Sequence, residues 1–148
     1  MRNRFLPVPD SAEIDFARSG FVMVRKRVYV VDDDASFLRA IQRLLNEHGY
    51  DVAVFHSVDD FNDHAVLDDA FCLVLDINLG DSSGIDLSRQ LSKRGSSLPV
   101  IFITANDSES TRKATHELGC VAYLQKPFPA KSLIDAVESS VAQSGQIQ

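Results

Sequence analysis

Phe71-Cys72-Leu73-Val74-Leu75-Asp76 is the stretch on which the fold of this chain turns. Five apolar residues in succession, among them the aromatic Phe71 and the β-branched Val74, describe a short strand buried on both faces. The run stops at Asp76, which sets a carboxylate at the strand's carboxyl end. In an open α/β sheet that edge is where ligands gather, although an aspartate is also an ordinary way to begin a turn. The flanking sequence decides between the two.

Upstream, Val28-Tyr29-Val30-Val31 is a second strand-like run, and it ends in Asp32-Asp33-Asp34. Behind it Phe37, Leu38, Ile41, Leu44 and Leu45 recur at the spacing of a helix's apolar stripe, with Gly49 where that helix would stop. Asp34 directly precedes the helix and reads as its N-cap rather than as a ligand. Val52-Ala53-Val54-Phe55 is the next strand; Ser57 after it can cap a helix, with Asp60 three residues on. Downstream of Asp76, Gly80, Ser82, Ser83 and Gly84 predict a loop, and Leu87 and Leu91 a helix ending near Gly95. Pro99 opens the strand Val100-Ile101-Phe102-Ile103, which ends at Thr104. The helix expected from about 109 to 118 offers only Ala114 and Leu118 as an apolar side and should be largely exposed. Val121-Ala122-Tyr123-Leu124 is the fifth strand, followed by Lys126-Pro127-Phe128 and a last helix carrying Leu133, Ile134, Val137 and Val141.

Five strand and helix alternations with short connections mean right-handed crossovers and a parallel sheet covered on both faces. The fold class is therefore a doubly wound α/β sandwich. With the flavodoxin-like strand order 2-1-3-4-5, strands one and three flank the switch point. Asp32, Asp33, Asp76, Thr104 and Lys126 then converge on one crevice. Three crowded carboxylates repel, so either their pKa values rise or a cation sits among them. A few hard oxygen ligands, with positions left for water and substrate, suit Mg²⁺ better than zinc or a calcium cage. Such an ion beside a carboxylate, a hydroxyl and a lysine is a phosphoryl site, with Asp76 as the in-line nucleophile.

Composition bounds the remaining possibilities. The chain has 148 residues, of which 45% are hydrophobic and 24% charged, the balance of one globular domain. A net charge of -6 argues against direct nucleic acid binding by this chain. No segment approaches a membrane span, and the start with Arg2 and Arg4 lacks a signal peptide's apolar region, so a cytoplasmic location is expected. Cys72 and Cys120 lack metal-ligand spacing and read as small core residues. His48, His56, His64 and His116 are scattered, and read as surface or packing residues without a partner at ligand spacing. Residues 1–26 lack the alternation and read as an extension, with Met23 as an alternative translation start. The domain is expected to span 27–143 and a short tail 144–148.

From Val28 to about Gln143 the chain resembles the receiver domain of two-component response regulators, especially the receivers of nitrogen-fixation and LuxR-type transcription regulators. The motifs are Val30-Val31-Asp32-Asp33-Asp34, Leu73-Val74-Leu75-Asp76-Ile77-Asn78-Leu79, Ser83-Gly84-Ile85-Asp86-Leu87, Pro99 to Ala105 and Gly119 to Phe128. The resemblance implies that Asp76 is the phosphoacceptor, taking a phosphoryl group from a sensor histidine kinase or phosphotransfer protein. It implies that Asp33 binds Mg²⁺ directly, Asp32 mostly through water, and Asn78 through its backbone carbonyl. Lys126 would pair with the phosphoryl oxygens, Thr104 would move toward them, and Tyr123 would be the aromatic that turns inward with it. The Lys126-Pro127 bond would be cis. The face made by the fourth helix, fifth strand and fifth helix would change, control an unknown partner protein, and offer a surface for dimers.

Two competing functions follow from the same residues. A haloacid-dehalogenase-type phosphatase also uses a strand-end aspartate with Mg²⁺, but needs a second acid two residues later, where this chain has Asn78, and an amide cannot act as a general acid. A degenerate receiver serving only as a docking surface is disfavoured because all five site residues are intact. For output, the expectation is a stand-alone receiver; the alternative is the front half of a DNA-binding regulator, with a linker from about Ser144.

Overall fold

The apolar runs lie side by side as parallel strands. In the computed structural model, which describes residues 27–146, these are β1 (Arg27–Val31), β2 (Asp51–Phe55), β3 (Cys72–Asp76), β4 (Val100–Thr104) and β5 (Ala122–Gln125). Their order is β2-β1-β3-β4-β5, the expected one, with every neighbouring pair parallel. The connections carry α1 (Ala35–Glu47), α2 (Val58–His64), α3 (Gly84–Lys93), α4 (Glu109–Glu117) and α5 (Ala130–Gln146). The extension 1–26, the possible start at Met23 and the end of the tail, 147–148, lie outside the described residues. The last helix runs to Gln146, beyond the domain end expected at 143.

Successive strand residues point to opposite faces, so a strand covered on both sides must be apolar throughout. β3 meets this requirement, with all five residues buried. On one face Val28, Val30, Cys72, Val74, Ile101 and Ile103 pack with Leu38, Ile41 and Leu45 of α1 and Leu133 and Val137 of α5. On the other, Tyr29, Val31, Leu73, Leu75 and Phe102 pack with Phe61 of α2 and Leu87 and Leu91 of α3. Tyr29, Phe55 and Phe61 meet edge to face there, with ring centroids 5.2, 5.3 and 6.1 Å apart. As expected, α4 is thinly anchored: Thr115 is its one buried residue.

Local capping follows the sequence closely. Asp34 accepts from the N–H groups of Ser36 and Phe37 at the start of α1, and Ser57 from that of Asp60 at the start of α2. Two local expectations need correction. The segment after Asp76 is no plain loop: Asn78–Leu79 pairs antiparallel with Ser82–Ser83 around Gly80, whose φ is +63°. α3 begins at once, at Gly84, capped by Ser83. Cys72 is fully buried as expected, but Cys120 is only half-buried. Among the described residues no helix is long and apolar enough to cross a membrane.

Gly84 couples this hairpin to the strand that carries Asp76. A Cβ there would collide with the Asp76 carbonyl oxygen and stand 3.0 Å from Leu75 Cγ. Gly84→Ala should therefore destabilise the fold by about 1–3 kcal/mol despite alanine's better helix propensity, measured as a lower urea midpoint.

Candidate functional site

Each side chain of the crevice is delivered by the last residue of a strand or the first residues after it. Register β1 against β3 pairs Val31 with Leu75, so Asp32 and Asp76 emerge side by side. Asp32 is fully buried, and its N–H continues the sheet ladder to the Phe55 carbonyl. Asp76 is 5% exposed. Asp33 is exposed at the rim. Carboxylate oxygens of Asp32, Asp33 and Asp76 all lie within 4.8 Å of one another.

One ammonium group serves two of these acids. Lys126 Nζ donates to Asp32 Oδ2 at 2.8 Å and to Asp76 Oδ2 at 3.4 Å, and it sits 4.1 Å from the centroid of the Phe37 ring. The Lys126-Pro127 bond is cis. The other oxygens are held by main-chain donors: the Asp34 N–H reaches Asp32 Oδ1 at 2.8 Å, and the Asn78 N–H reaches Asp76 Oδ1 at 3.1 Å. Thr104 is fully buried at the end of β4. Its hydroxyl donates to the Asn106 carbonyl and accepts from the Asn106 N–H at 3.0 Å and from Asn78 Nδ2 at 3.4 Å. Tyr123, one strand further, is engaged elsewhere. Its hydroxyl donates to Asp107 Oδ1 at 2.8 Å and lies 3.0 Å from Thr111 Oγ1, while Asp107 also pairs with Arg112.

The electrostatics match this crowding. Burial, reinforced by the neighbouring Asp32 charge, pushes the Asp76 carboxyl up to about 6, against the pull of the Asn78 N–H and Lys126. Burial pulls Lys126 down, but its bonds to Asp32 and Asp76 outweigh that and leave it raised. Three carboxylates facing one ammonium leave negative charge uncompensated in a partly dry pocket. An all-oxygen donor set of this kind fits a hard divalent cation such as Mg²⁺.

The structure thus brings Asp32, Asp33, Asp76, Asn78, Thr104 and Lys126 together and holds Tyr123 at the adjoining loop. The sequence reading missed Phe37 as a neighbour of Lys126; its only signal was a place in the first turn of α1, where it also served the apolar stripe. His56 and His64 lie on the surface, as expected, although the acid they share was missed. His64 Nδ1 lies 2.9 Å from Asp60 Oδ1 and His56 Nδ1 3.7 Å from Asp60 Oδ2, so these two share an acid four residues away on an exposed face. The Asp60 backbone and carboxylate raise His64.

A folded-state pKa above the unfolded value means that the fold binds this proton more tightly, so ionised Asp76 costs stability above pH 6 and progressively less as pH falls toward 4. Metal-free Asp76→Asn should be more stable than wild type at neutral pH by on the order of 1–3 kcal/mol. Urea titrations across this range should show the difference shrinking toward acid.

Comparison with known proteins agrees with this geometry. Residues 28–138 match the family model described as response regulator receiver domain. The chain is 37% identical over 115 residues to the transcriptional regulatory protein TdiR of Thauera aromatica, an alignment covering 78% of this chain and 51% of that one. It is 36% identical over 108 residues to the response regulator MprA of Mycobacterium avium, covering 73% of this chain and 47% of MprA. The chain therefore spans about half the length of the curated relatives it matches. A similar crystal structure is that of a response regulator protein from Burkholderia pseudomallei, with a TM-score of 0.69, 26% identity and 82% of this chain and 73% of that one covered. That protein carries a phosphorylated aspartic acid, a calcium ion and citrate.

Proposed function

Since the chain belongs to the response regulator receiver family, we propose that it is a phosphoacceptor switch in which Asp76 takes a phosphoryl group from a histidine kinase or phosphotransfer protein. The observation that carries this reading is the Lys126 ammonium suspended between Asp32 and Asp76 at 2.8 and 3.4 Å, within the acid cluster. An oxygen of Asp76 attacks the phosphorus, the new P–O bond forming as the bond to the donor's imidazole nitrogen breaks and the imidazole leaves with its electron pair. Asp32, Asp33, Asp76 and the Asn78 backbone carbonyl would hold Mg²⁺, which when bound offsets charge on the phosphoryl oxygens. Lys126 lies within reach of the same oxygens. The receiver family is one of regulatory phosphoacceptors, and Asn78 in place of an acid argues against turnover of external phosphoesters.

Conversion of this event into a signal falls to α4, β5 and α5. Thr104 is bound to Asn106 and Tyr123 to Asp107, so both switch residues are tied to the one loop that leads into α4. Moving Thr104 toward a phosphoryl oxygen would disturb that loop, and α4 has little burial to resist it. A nearly complete shift between two packings needs roughly 5.5 kcal/mol of differential stabilisation, within reach of a dianion with lysine, hydroxyl and metal partners. The changed face would act on a partner protein or a second copy, in the cytoplasm. TdiR's description as a transcriptional regulator, together with the half-length match, favours a second reading for output: a receiver serving a DNA-binding portion. Kinship with the nitrogen-fixation and LuxR-type branch rests on the five motifs from Val30 to Phe128 alone; the names TdiR and MprA carry neither designation.

Mg²⁺ with beryllofluoride or acetyl phosphate should shift the amide resonances of α4, β5 and α5, and acetyl phosphate should add one phosphoryl mass to Asp76. Asp76→Asn should abolish both, and an unchanged wild-type spectrum under both reagents would refute the switch. Because a proton competes for Asp76, Mg²⁺ affinity measured by calorimetry should fall about tenfold per pH unit below 6.

A further inference from the structure

Lysine is a flexible point charge on a four-carbon stem, so its place in a site must be set by what surrounds the ammonium. Here two of the three surroundings are carboxylates, and both would change on phosphorylation: Asp76 becomes an acyl phosphate, and Asp32 turns toward a cation. The third is the face of the Phe37 ring, 4.1 Å from Nζ to centroid, inside the range in which an aromatic quadrupole attracts a cation. It keeps the same charge distribution throughout the cycle.

The ring and the backbone that carries it are each held. Phe128, two residues beyond the lysine, stands with its ring edge-on to that of Phe37, centroids 6.2 Å apart at 84°. In the backbone the Phe37 N–H donates to Asp34 Oδ1 at 3.2 Å, and the Asp34 N–H donates to Asp32 Oδ1 at 2.8 Å. The carboxylate of Asp32 thus bonds the ammonium through one oxygen and, through the other, anchors the cap that seats the ring.

We propose that Phe37 is a positioning residue for Lys126, its ring holding the ammonium over Asp76 while the carboxylate partners change. This rests on the reading of Asp76 as phosphoacceptor. It accounts for an aromatic side chain in the first turn of α1, beside the acid pair, where a branched aliphatic would fill the apolar stripe equally well.

The test compares wild type, Phe37→Leu and Phe37→Tyr. Beryllofluoride, the probe for the phosphoryl group, should bind the Mg²⁺-saturated leucine variant about three- to tenfold more weakly than wild type, and the tyrosine variant within about twofold of it. Mg²⁺ alone should bind the leucine variant as tightly as wild type or more tightly, because Lys126 competes with the cation for Asp32. Lys126 ε-methylene protons should resonate upfield in wild type and Phe37→Tyr, under the ring, and return to ordinary values in Phe37→Leu. Equal beryllofluoride affinity in all three, parallel loss of Mg²⁺ and beryllofluoride binding in Phe37→Leu, or ordinary Lys126 shifts in wild type would overturn the assignment. The shift measurement on wild type decides even where the leucine variant folds poorly. A wild type that bound no beryllofluoride but showed the upfield shift would overturn the phosphoacceptor reading first, and this one with it.

Discussion

The constraint on which this structure depends is the forced proximity of the Asp32 and Asp76 carboxylates, one fully and one almost fully buried, around a single ammonium. Nothing local brings them together. Strands β1 and β3 are neighbours although β2 lies between them in sequence, and their register sets Val31 opposite Leu75, so the next residue of each emerges at the same height. β4 continues the pattern, with Ile103 opposite Asp76 and Thr104 one residue beyond. A shift of one residue in any of these pairings would exchange the sheet's faces and scatter the cluster, and the all-apolar cover on both sides is what forbids it.

The same proximity works against stability. Burying ionised carboxylates is costly, and one lysine cannot compensate three of them. The fold tolerates this because the crevice lies at the very edge of a core that is otherwise apolar: Leu38, Ile41 and Leu45 close one face, and Phe61, Leu87 and Leu91 the other. Main-chain N–H groups of Asp34 and Asn78 take up oxygens that would otherwise stand unpaired. Under the proposed function the residual charge is where a cation and a phosphoryl group would act, so the feature that weakens the metal-free fold would also give those ligands their leverage.

How much of this was legible in the sequence depends on the range of the interaction. The strands of the sheet, the capping by Asp34 and Ser57 and the thin anchorage of α4 are local matters of period and side-chain chemistry, and they could be read directly. The convergence of Asp32, Asp33, Asp76, Thr104 and Lys126 followed from strand order, which the alternation of elements restricts to few choices. What could not be read is short-range packing decided by tertiary approach. Gly84 looked like a loop residue, but it starts a helix and is glycine because the Asp76 carbonyl occupies the space of a Cβ. The pairing of Asn78–Leu79 with Ser82–Ser83 has no apolar alternation to announce it. Cys120 carries the same chemistry as Cys72 but sits after a turn instead of inside a strand, and exposure followed position. Phe37 belonged to the apolar stripe of α1 and gave no sign that its face would meet an ammonium.

The connection from site to surface has the same economy. Thr104 and Tyr123 stand on adjacent strands, yet no direct bond joins them; each is tied to a different residue of the loop entering α4, Thr104 to Asn106 and Tyr123 to Asp107. The N–H of Thr111, in the first turn of α4, donates to the capping Ser108 hydroxyl oxygen, and the Thr111 hydroxyl also meets that of Tyr123. The beginning of α4 is therefore held by polar bonds at its N-terminus, while Thr115 is its only buried residue. Hydrogen bonds are short-ranged and can be exchanged for others of similar strength, whereas a packed apolar face cannot be moved without opening a void. An element fastened in this way would shift at low cost under the proposed switch, if Thr104 found a better partner in the crevice, whereas α1, with Leu38, Ile41 and Leu45 buried along one stripe, would resist displacement.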